Sequence, residues 1–332
     1  MATLFLVHRI PYPPDKGDKL RSWRLLNALA AHDRVHLGAF VDDPADMAHA
    51  EVLRPLVDRM ALIPLERRWR RALTGIRHRR PLTVALYNDP AMHGFVRETL
   101  RDGGVDRILL FSSQMSQYVF DIGRPPRIVM DFVDLDSDKF QQYAAAAQGP
   151  KRWLYARETE LLLGIERRIA RLADACTFVT EADAALFARK AGEAAARLTV
   201  MGNGVDLDYF SPAAEVEALD GMGGGPLVVF TGAMDYAANV DGALWFARTL
   251  WPAIRARVPG ARFAIVGSNP VKALKALDGR DDIIVTGRVP DVRPWLKAAA
   301  VAVAPLSIAR GVQNKVLEAM AMARPTVATP AA

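Results

Sequence analysis

The sequence of 332 residues is poor in cysteine and has no long hydrophobic runs. Cys176 is the only cysteine, so an internal disulfide cannot form and a reducing, cytoplasmic setting is expected. No stretch of about 18 consecutive apolar residues is present, which argues against a transmembrane helix. The formal net charge of +6 is a modest basic excess, compatible with phosphate-bearing substrates, an anionic membrane surface or nucleic acid.

Two common nucleotide-binding fingerprints are also missing. No Gly-x-Gly-x-x-Gly follows the first predicted strand, and no Walker A pattern occurs, which argues against NAD binding and P-loop chemistry. The first strand leads instead into a proline-rich loop that ends at Gly17, before a predicted helix at 19–31. Gly17 either brings backbone amides and a helix N-terminus near an anion or only makes a turn.

Short apolar runs alternate with helical patterns along the chain, which predicts parallel sheets covered on both faces. The main predicted strands lie at 3–8, 34–40, 108–111, 127–131, 176–179, 198–201, 227–231, 262–266, 283–286, 301–305 and 326–329. Further helices are predicted at 242–257 and 313–323. We therefore expect an α/β fold with two Rossmann-like domains.

The predicted domains span 1–210 and 226–332, and the linker between them spans 211–225. The linker is predicted from its proline, glycine and acidic residues. The last strand reaches Thr329 without the helix that usually follows in a doubly wound domain. The C-terminal domain is therefore expected to be truncated.

The segment after the strand at 301–305 has the most informative pattern. A turn at Arg310 and Gly311 leads into a helix whose first turn carries Lys315. Free backbone amides and this lysine could bind a diphosphate. The amides belong to Gly311, Val312, Gln313 and Asn314. Glu318 follows on the same helix face and could hold ribose hydroxyls, or Lys315 and Glu318 could form an ordinary surface pair.

This segment, with four others, resembles the group-1, family-four glycosyltransferases. The matching parts are Lys-Val-Leu-Glu-Ala-Met-Ala at 315–321 with 325–329, Asn-Gly-Val-Asp at 203–206 with Tyr-Phe at 209–210, Phe-Thr-Gly-Ala-Met-Asp-Tyr at 230–236 with Asn239, Val-Gly at 266–267, and Thr-Gly at 286–287. The proline-rich stretch at 11–21 is most similar to sugar transferases associated with the exosortase (PEP-CTERM) systems.

The resemblance implies a GT-B fold, with two Rossmann-like domains facing each other across a cleft. It implies a nucleotide-sugar donor in the C-terminal domain, an acceptor in the N-terminal domain, and retaining transfer without an essential metal. No cofactor and no nucleic-acid partner are expected. The acceptor would be a glycan or a lipid-linked sugar in exopolysaccharide or other cell-surface glycan synthesis.

Individual roles follow from the matching positions. Glu318 matches the second glutamate of the family's Glu-x7-Glu motif, which binds the ribose, whereas the first falls on Arg310. We assign Lys315 and Arg310 to the leaving diphosphate as catalytic groups. Gly232, at the end of a strand, and Gly17, from the facing domain, are further predicted donor contacts.

The acceptor side is defined less sharply. A histidine that many relatives carry after an N-domain strand is not found, and Ser113 lies near that place. Asp131 and Asp134 are the other predicted acceptor contacts. Two alternatives stay open: a GT-B nucleotide-sugar epimerase with the same donor site, and a degenerate protein that binds nucleotide sugars without catalysis.

A basic segment runs from Arg67 to Arg80 and contains seven arginines and no acidic residue. Trp69, Leu73 and Ile76 recur in it at helix-compatible spacing. This pattern predicts docking on an anionic membrane, which would place the protein on the inner face of the plasma membrane. A solvated basic face and a nucleic-acid patch are the competing interpretations.

Overall fold

The structure is a computed structural model. It describes residues 1–14, 17–66, 68–123, 126–192, 197–219, 224–307 and 312–332, without the side chains of residues 68–70. The chain folds as two compact units, Met1–Gly202 and Asn203–Ala332. The predicted boundary lay at residue 210, but Phe210 is buried in a core cluster of the second unit together with Leu227 and Leu296. The described part of the predicted linker belongs to that unit and has no helix or strand.

The first unit contains a seven-stranded sheet of parallel strands. Its strands are β1 (Ala2–Val7), β2 (Arg34–Val41), β3 (Arg59–Pro64), β4 (Arg107–Phe111), β5 (Arg127–Val133), β6 (Ala175–Phe178) and β7 (Leu198–Val200). Their order is β3-β2-β1-β4-β5-β6-β7. The structure adds β3 to the predicted strands; this edge strand is mostly half-buried, so its apolar pattern is weak.

Helices cover both faces of this sheet. They are α1 (Gly17–Ala30), α2 (Ala50–Leu53), α3 (Arg68–Arg77), α4 (Leu82–Ala85), α5 (Pro90–Asp102), α6 (Asp136–Ala146), α7 (Gly149–Leu172) and α8 (Glu181–Ala191). Alternate residues of β1 belong to different cores: Leu4 and Leu6 to one, Phe5 and Val7 to the other. A strand buried on both faces needs a continuous apolar run, and β1 has one.

The second unit repeats this plan with a five-stranded parallel sheet in the order β10-β9-β8-β11-β12. Its strands are β8 (Leu227–Thr231), β9 (Arg262–Val266), β10 (Ile283–Gly287), β11 (Val301–Ala304) and β12 (Thr326–Ala328). The helices are α9 (Ala237–Trp245), α10 (Trp251–Arg257), α11 (Lys272–Lys275), α12 (Arg293–Ala298) and α13 (Asn314–Ala321). A π-helical turn at Phe246–Leu250 joins α9 to α10, so the predicted helix at 242–257 begins earlier.

Both sheets confirm the predicted fold of two Rossmann-like domains. In each sheet the strand order reverses beside the unit's first strand. The reversal lies between β1 and β4 in the first sheet and between β8 and β11 in the second. Ligands of open α/β sheets bind at such switch points, outside the carboxyl ends of the strands. Among the described helices, none has the length and apolar character needed to span a membrane.

Candidate functional site

The carboxyl end of β8, which borders the switch point of the second sheet, makes a very close backbone approach to the end of β9. Gly232 follows β8 and Gly267 follows β9, and a Cβ atom on Gly267 would lie 1.7 Å from the Gly232 carbonyl oxygen. A Cβ atom on Gly232 would lie 2.7 Å from the Asn239 amide nitrogen and 3.1 Å from Lys315 Nζ. Glycine at both positions therefore lets the lysine reach the end of the central strand.

Lys315 occupies this position from the first turn of α13. Its Nζ donates to Asn239 Oδ1 at 2.6 Å and lies 4.6 Å from the centre of the Phe230 ring. Burial lowers the pKa of Lys315 to about 8, while the nearby negative charge of Glu318 acts in the opposite direction. A partly desolvated cation of this kind gains from an anionic ligand, because the ligand replaces the water that burial removed.

Asn239 fixes the position of this lysine and was given no role from the sequence. It is buried in the first turn of α9, and its amide also donates to the Ala233 carbonyl at 2.8 Å. One side chain thus joins the loop after β8 to Lys315. A polar residue early in the helix that follows β8 was the indication in the sequence. It does not reveal the partner, because Lys315 is 76 residues away.

The start of α13 supplies the other predicted donor contacts. Val312 and Gln313 precede the helix and Asn314 begins it, so backbone amides in its first turn have no partner within the helix. The Val312 carbonyl accepts from the Asn203 side chain at 3.4 Å, which links the Asn-Gly-Val-Asp motif to this segment. Glu318 is half-buried one turn beyond Lys315. The predicted contacts Arg310 and Gly311 lie outside the described residues.

The switch point of the first sheet has different chemistry. His8 follows β1, and its Nε2 lies 3.2 Å from Asp18 Oδ2. Burial would raise the pKa of Asp18, but hydrogen bonds and charges from His8 and Arg9 hold it well below its usual range. Gly17 is the exposed first residue of α1, immediately before this aspartate. His8 was given no role from the sequence, although it directly follows the first strand.

Strained backbone follows the two neighbouring strands. Ser112 after β4 has φ of 73° and Val133 at the end of β5 has φ of 67°, a region that a β-branched residue rarely enters. Such strain is common where function requires an unusual conformation. Ser113 comes next, and its buried hydroxyl finds no hydrogen-bond partner among the described residues.

Asp134, directly after Val133, is a half-buried carboxyl group. Burial raises its pKa to about 7, and the negative charges of Asp136 and Asp183 add to the effect. No described residue is seen donating a hydrogen bond to this carboxyl. Its position and its pKa together mark it as a candidate functional group.

Asp131 has a supporting position instead of the predicted acceptor contact. Its carboxylate is fully buried and accepts from Arg21 Nε at 2.8 Å and Thr177 Oγ1 at 2.9 Å. It also accepts from Arg21 Nη2 at 3.3 Å and from the Val133 amide at 3.2 Å. Because these donors occupy both oxygens, we reassign Asp131 from acceptor binding to holding the end of β5.

Residues 225–332, which carry Gly232, Lys315 and Glu318, match a protein-family model. The family is that of the group 1 glycosyl transferases. The match lies within the second unit and supports the predicted enzyme class. No curated protein sequence matches the chain.

Solved structures share the fold of both units. Sucrose-phosphate synthase from Thermosynechococcus elongatus has a TM-score of 0.68 and 18% identity, over 99% of this chain and 81% of that one. Anabaena HepE in complex with UDP and glucose has a TM-score of 0.64 and 16% identity, over 100% and 81%. Trehalose 6-phosphate synthase from Burkholderia multivorans has a TM-score of 0.63 and 14% identity, over 100% and 84%.

These likenesses confirm the predicted fold class of two parallel-sheet α/β domains, as in these glycosyltransferase structures. They do not test the resemblance to exosortase-associated transferases, which stays a prediction. Within the described ranges, no group of three or more His, Cys, Asp or Glu side chains could hold a metal ion.

Proposed function

We propose that the protein transfers a sugar from a nucleotide-sugar donor to an acceptor hydroxyl. The observation that carries the proposal is Lys315, a partly desolvated cation at the switch point of the second sheet. It lies beside the glycine backbone that ends β8 and within the first turn of a helix. An amine and backbone amides at a helix N-terminus, in this arrangement, fit a diphosphate group.

The main catalytic task is then to stabilise the negative charge that develops on the leaving nucleoside diphosphate. Lys315 and the amides of Val312, Gln313 and Asn314 perform this task in our proposal. Glu318, one turn further along α13, accepts hydrogen bonds from the ribose hydroxyls. Positive groups that neutralise the diphosphate make an essential metal unnecessary, and turnover should survive EDTA.

UDP is the first nucleotide to test, because HepE has been solved with UDP and with UDP-glucose. We propose that the sugar is transferred with retention of its anomeric configuration, as the resemblance to family-four enzymes implies. Asp134 and Ser113 are the proposed acceptor contacts in the first unit, and Gly17 a proposed donor contact. NMR of the product identifies the anomer directly.

The biological setting is the finer part of the proposal. The resemblance of residues 11–21 to exosortase-associated transferases supports a role in exopolysaccharide or other cell-surface glycan synthesis. A lipid-linked or glycan acceptor suits that role. Such an acceptor would be met on the cytoplasmic side of the plasma membrane, where the single buried cysteine also stays reduced.

A two-stage experiment tests the function. UDP-, GDP- and ADP-sugars are first screened by thermal shift, since a donor stabilises the folded protein. The stabilising donor is then incubated alone and with candidate acceptors, and the products are analysed by NMR and mass spectrometry. A glycosylated acceptor is expected. An epimerised sugar from donor alone would favour the epimerase alternative, and binding without any product would favour the degenerate binding protein.

A further inference from the structure

Most of the basic segment, Arg68–Arg77, forms α3, and the two faces of this helix differ in their surroundings. Its inward face is tightly packed: a Cβ atom on Gly75 would lie 2.7 Å from the Ala85 side chain. Arg71 also points inward, donating to Asp89 at 2.5 Å and to the Leu86 carbonyl at 3.2 Å. The outward face carries Leu73 and Ile76, which are 57% and 49% exposed.

A second helix brings another apolar side chain to the same region. Arg157 of α7 donates to the Gly75 carbonyl at 3.3 Å and to the Arg80 carbonyl at 3.1 Å, so α7 is fixed against the end of α3. Trp153 lies one helical turn before Arg157 and is 65% exposed, the most exposed tryptophan among the large exposed hydrophobic residues. The docking segment predicted from the sequence ended at Arg80 and did not include this tryptophan.

The charged residues of the two segments that carry these three apolar side chains have one sign. The stretch 67–80 has no acidic residue, and neither has the stretch 140–157, which contributes the start of α7. Two acids that pack nearby are already occupied: Asp89 by Arg71, and Glu158 by the amides of Leu82 and Thr83. Apolar side chains ringed by arginine and lysine match a bilayer interface with anionic headgroups.

We propose that α3 and the first turns of α7 form one docking face for an anionic lipid bilayer, with Trp153 as an inserting side chain. The face consists of Leu73, Ile76, Arg77, Arg79, Arg80, Lys151, Arg152 and Trp153, all of them exposed. This inference goes beyond the proposed function, because it concerns only the first unit and does not involve the nucleotide site. Arg71 is excluded from the face, since it belongs to the packing of α3.

Co-sedimentation with vesicles tests the face on the full chain. The protein is expected to pellet with vesicles that contain phosphatidylglycerol and to stay in solution with pure phosphatidylcholine. Replacing Trp153 with Ala should lower the partition coefficient about tenfold, because an aromatic side chain is withdrawn from the interface. The control is Trp245→Ala, which removes an exposed tryptophan from the second unit.

A set of variants that lose positive charges tests whether binding depends on this face or only on the net positive charge of the protein. Changing Arg77, Arg79 and Arg80 together to Gln should lower the partition coefficient about 100-fold, since each arginine near an anionic surface contributes about 1 kcal/mol. The matched control changes three exposed cations of the second unit to Gln: Arg248, Arg257 and Lys275. Circular dichroism confirms that each variant is folded.

Three outcomes would overturn the proposal. The first is equal pelleting with neutral and anionic vesicles. The second is a Trp153→Ala or triple-arginine variant that binds no more weakly than its control. The third is preferential binding to a short single-stranded RNA that displaces the protein from anionic vesicles at the same salt concentration. Binding of nucleotide sugars should be unchanged in every variant, so loss of docking and loss of the proposed function are distinguishable.

Discussion

The two switch points share one topology and differ in charge. At the end of β8 a lysine lies beside bare glycine backbone, whereas the ends of β1 and β5 present a histidine and carboxyl groups. A cationic edge suits the phosphates of a donor, and a carboxyl-bearing edge suits the hydroxyls of an acceptor. The fold therefore provides two positions for ligands, and the side chains decide which ligand each position takes.

The two edges are also held together differently. The first depends on a buried ion pair between Arg21 and Asp131, and the second on the backbone contact between Gly232 and Gly267. Substitutions that remove the ion pair or the close backbone approach, one at a time, show whether one sheet edge can be altered without affecting the other.

The largest effect is expected from Arg21→Met. Asp131 would be left in a fully buried position without its cation, which costs about 3–5 kcal/mol of unfolding free energy. Urea unfolding followed by circular dichroism measures the loss. Arg97→Met, on the exposed side of α5, is the control and should change stability by less than about 0.5 kcal/mol. A stability loss no greater than in the control would mean that the pair does not support the first edge.

Gly267→Ala should be nearly as damaging to the second edge. The new Cβ would fall 1.7 Å from the Gly232 carbonyl, so backbone must move, at an expected cost of about 3 kcal/mol. Nucleotide binding should be lost as well, because the movement displaces the end of β8. Gly164→Ala in α7 is the control: its Cβ meets nothing within 4 Å, and it should be neutral or slightly stabilising. A Gly267→Ala variant with unchanged thermal stability would contradict the close approach.

How far the sequence predicts these features depends on the range of the contacts. The strands of both sheet centres were predicted because they are continuous apolar runs, while β3 was missed because it is half-buried at an edge. Lys315 and Glu318 were predicted as donor contacts from a local motif, and the structure places Lys315 beside Gly232 at the end of β8. The roles of Asp131 and Asn239 could not be found, because they depend on Arg21 at a distance of 110 residues and Lys315 at 76.

Asp134→Asn tests whether the carboxyl-bearing edge of the first sheet binds the acceptor and not the donor. Turnover should fall about 10- to 100-fold, because a hydrogen bond to a charged group is lost, while UDP binding stays unchanged. Stability gives a second readout. The folded pKa of about 7 lies above the unfolded value, so the wild type loses unfolding free energy as pH rises from about 4 to 7. The variant should lack that loss, and a variant with normal turnover and the wild-type pH dependence would remove Asp134 from the site.

The smallest expected effect is the pH dependence of UDP binding. Lys315 must be protonated to attract the diphosphate, and its pKa is about 8 in the free protein. Affinity should therefore fall about tenfold between pH 7 and pH 9, and the fall should be absent in Lys315→Arg, whose side chain stays charged. Equal pH dependence in both proteins would assign the titration to another group.

The most direct test of the account is calorimetric binding of UDP to the wild type and to Lys315→Met. The substitution keeps the apolar stem and removes the charged amine from the end of β8. We predict that affinity weakens about 10- to 100-fold, the loss expected for a charge-assisted hydrogen bond. The control Lys272→Met, at an exposed position of α11, should bind UDP as the wild type does. Equal UDP affinity in a folded Lys315→Met protein would contradict the assignment of the second switch point as the donor site.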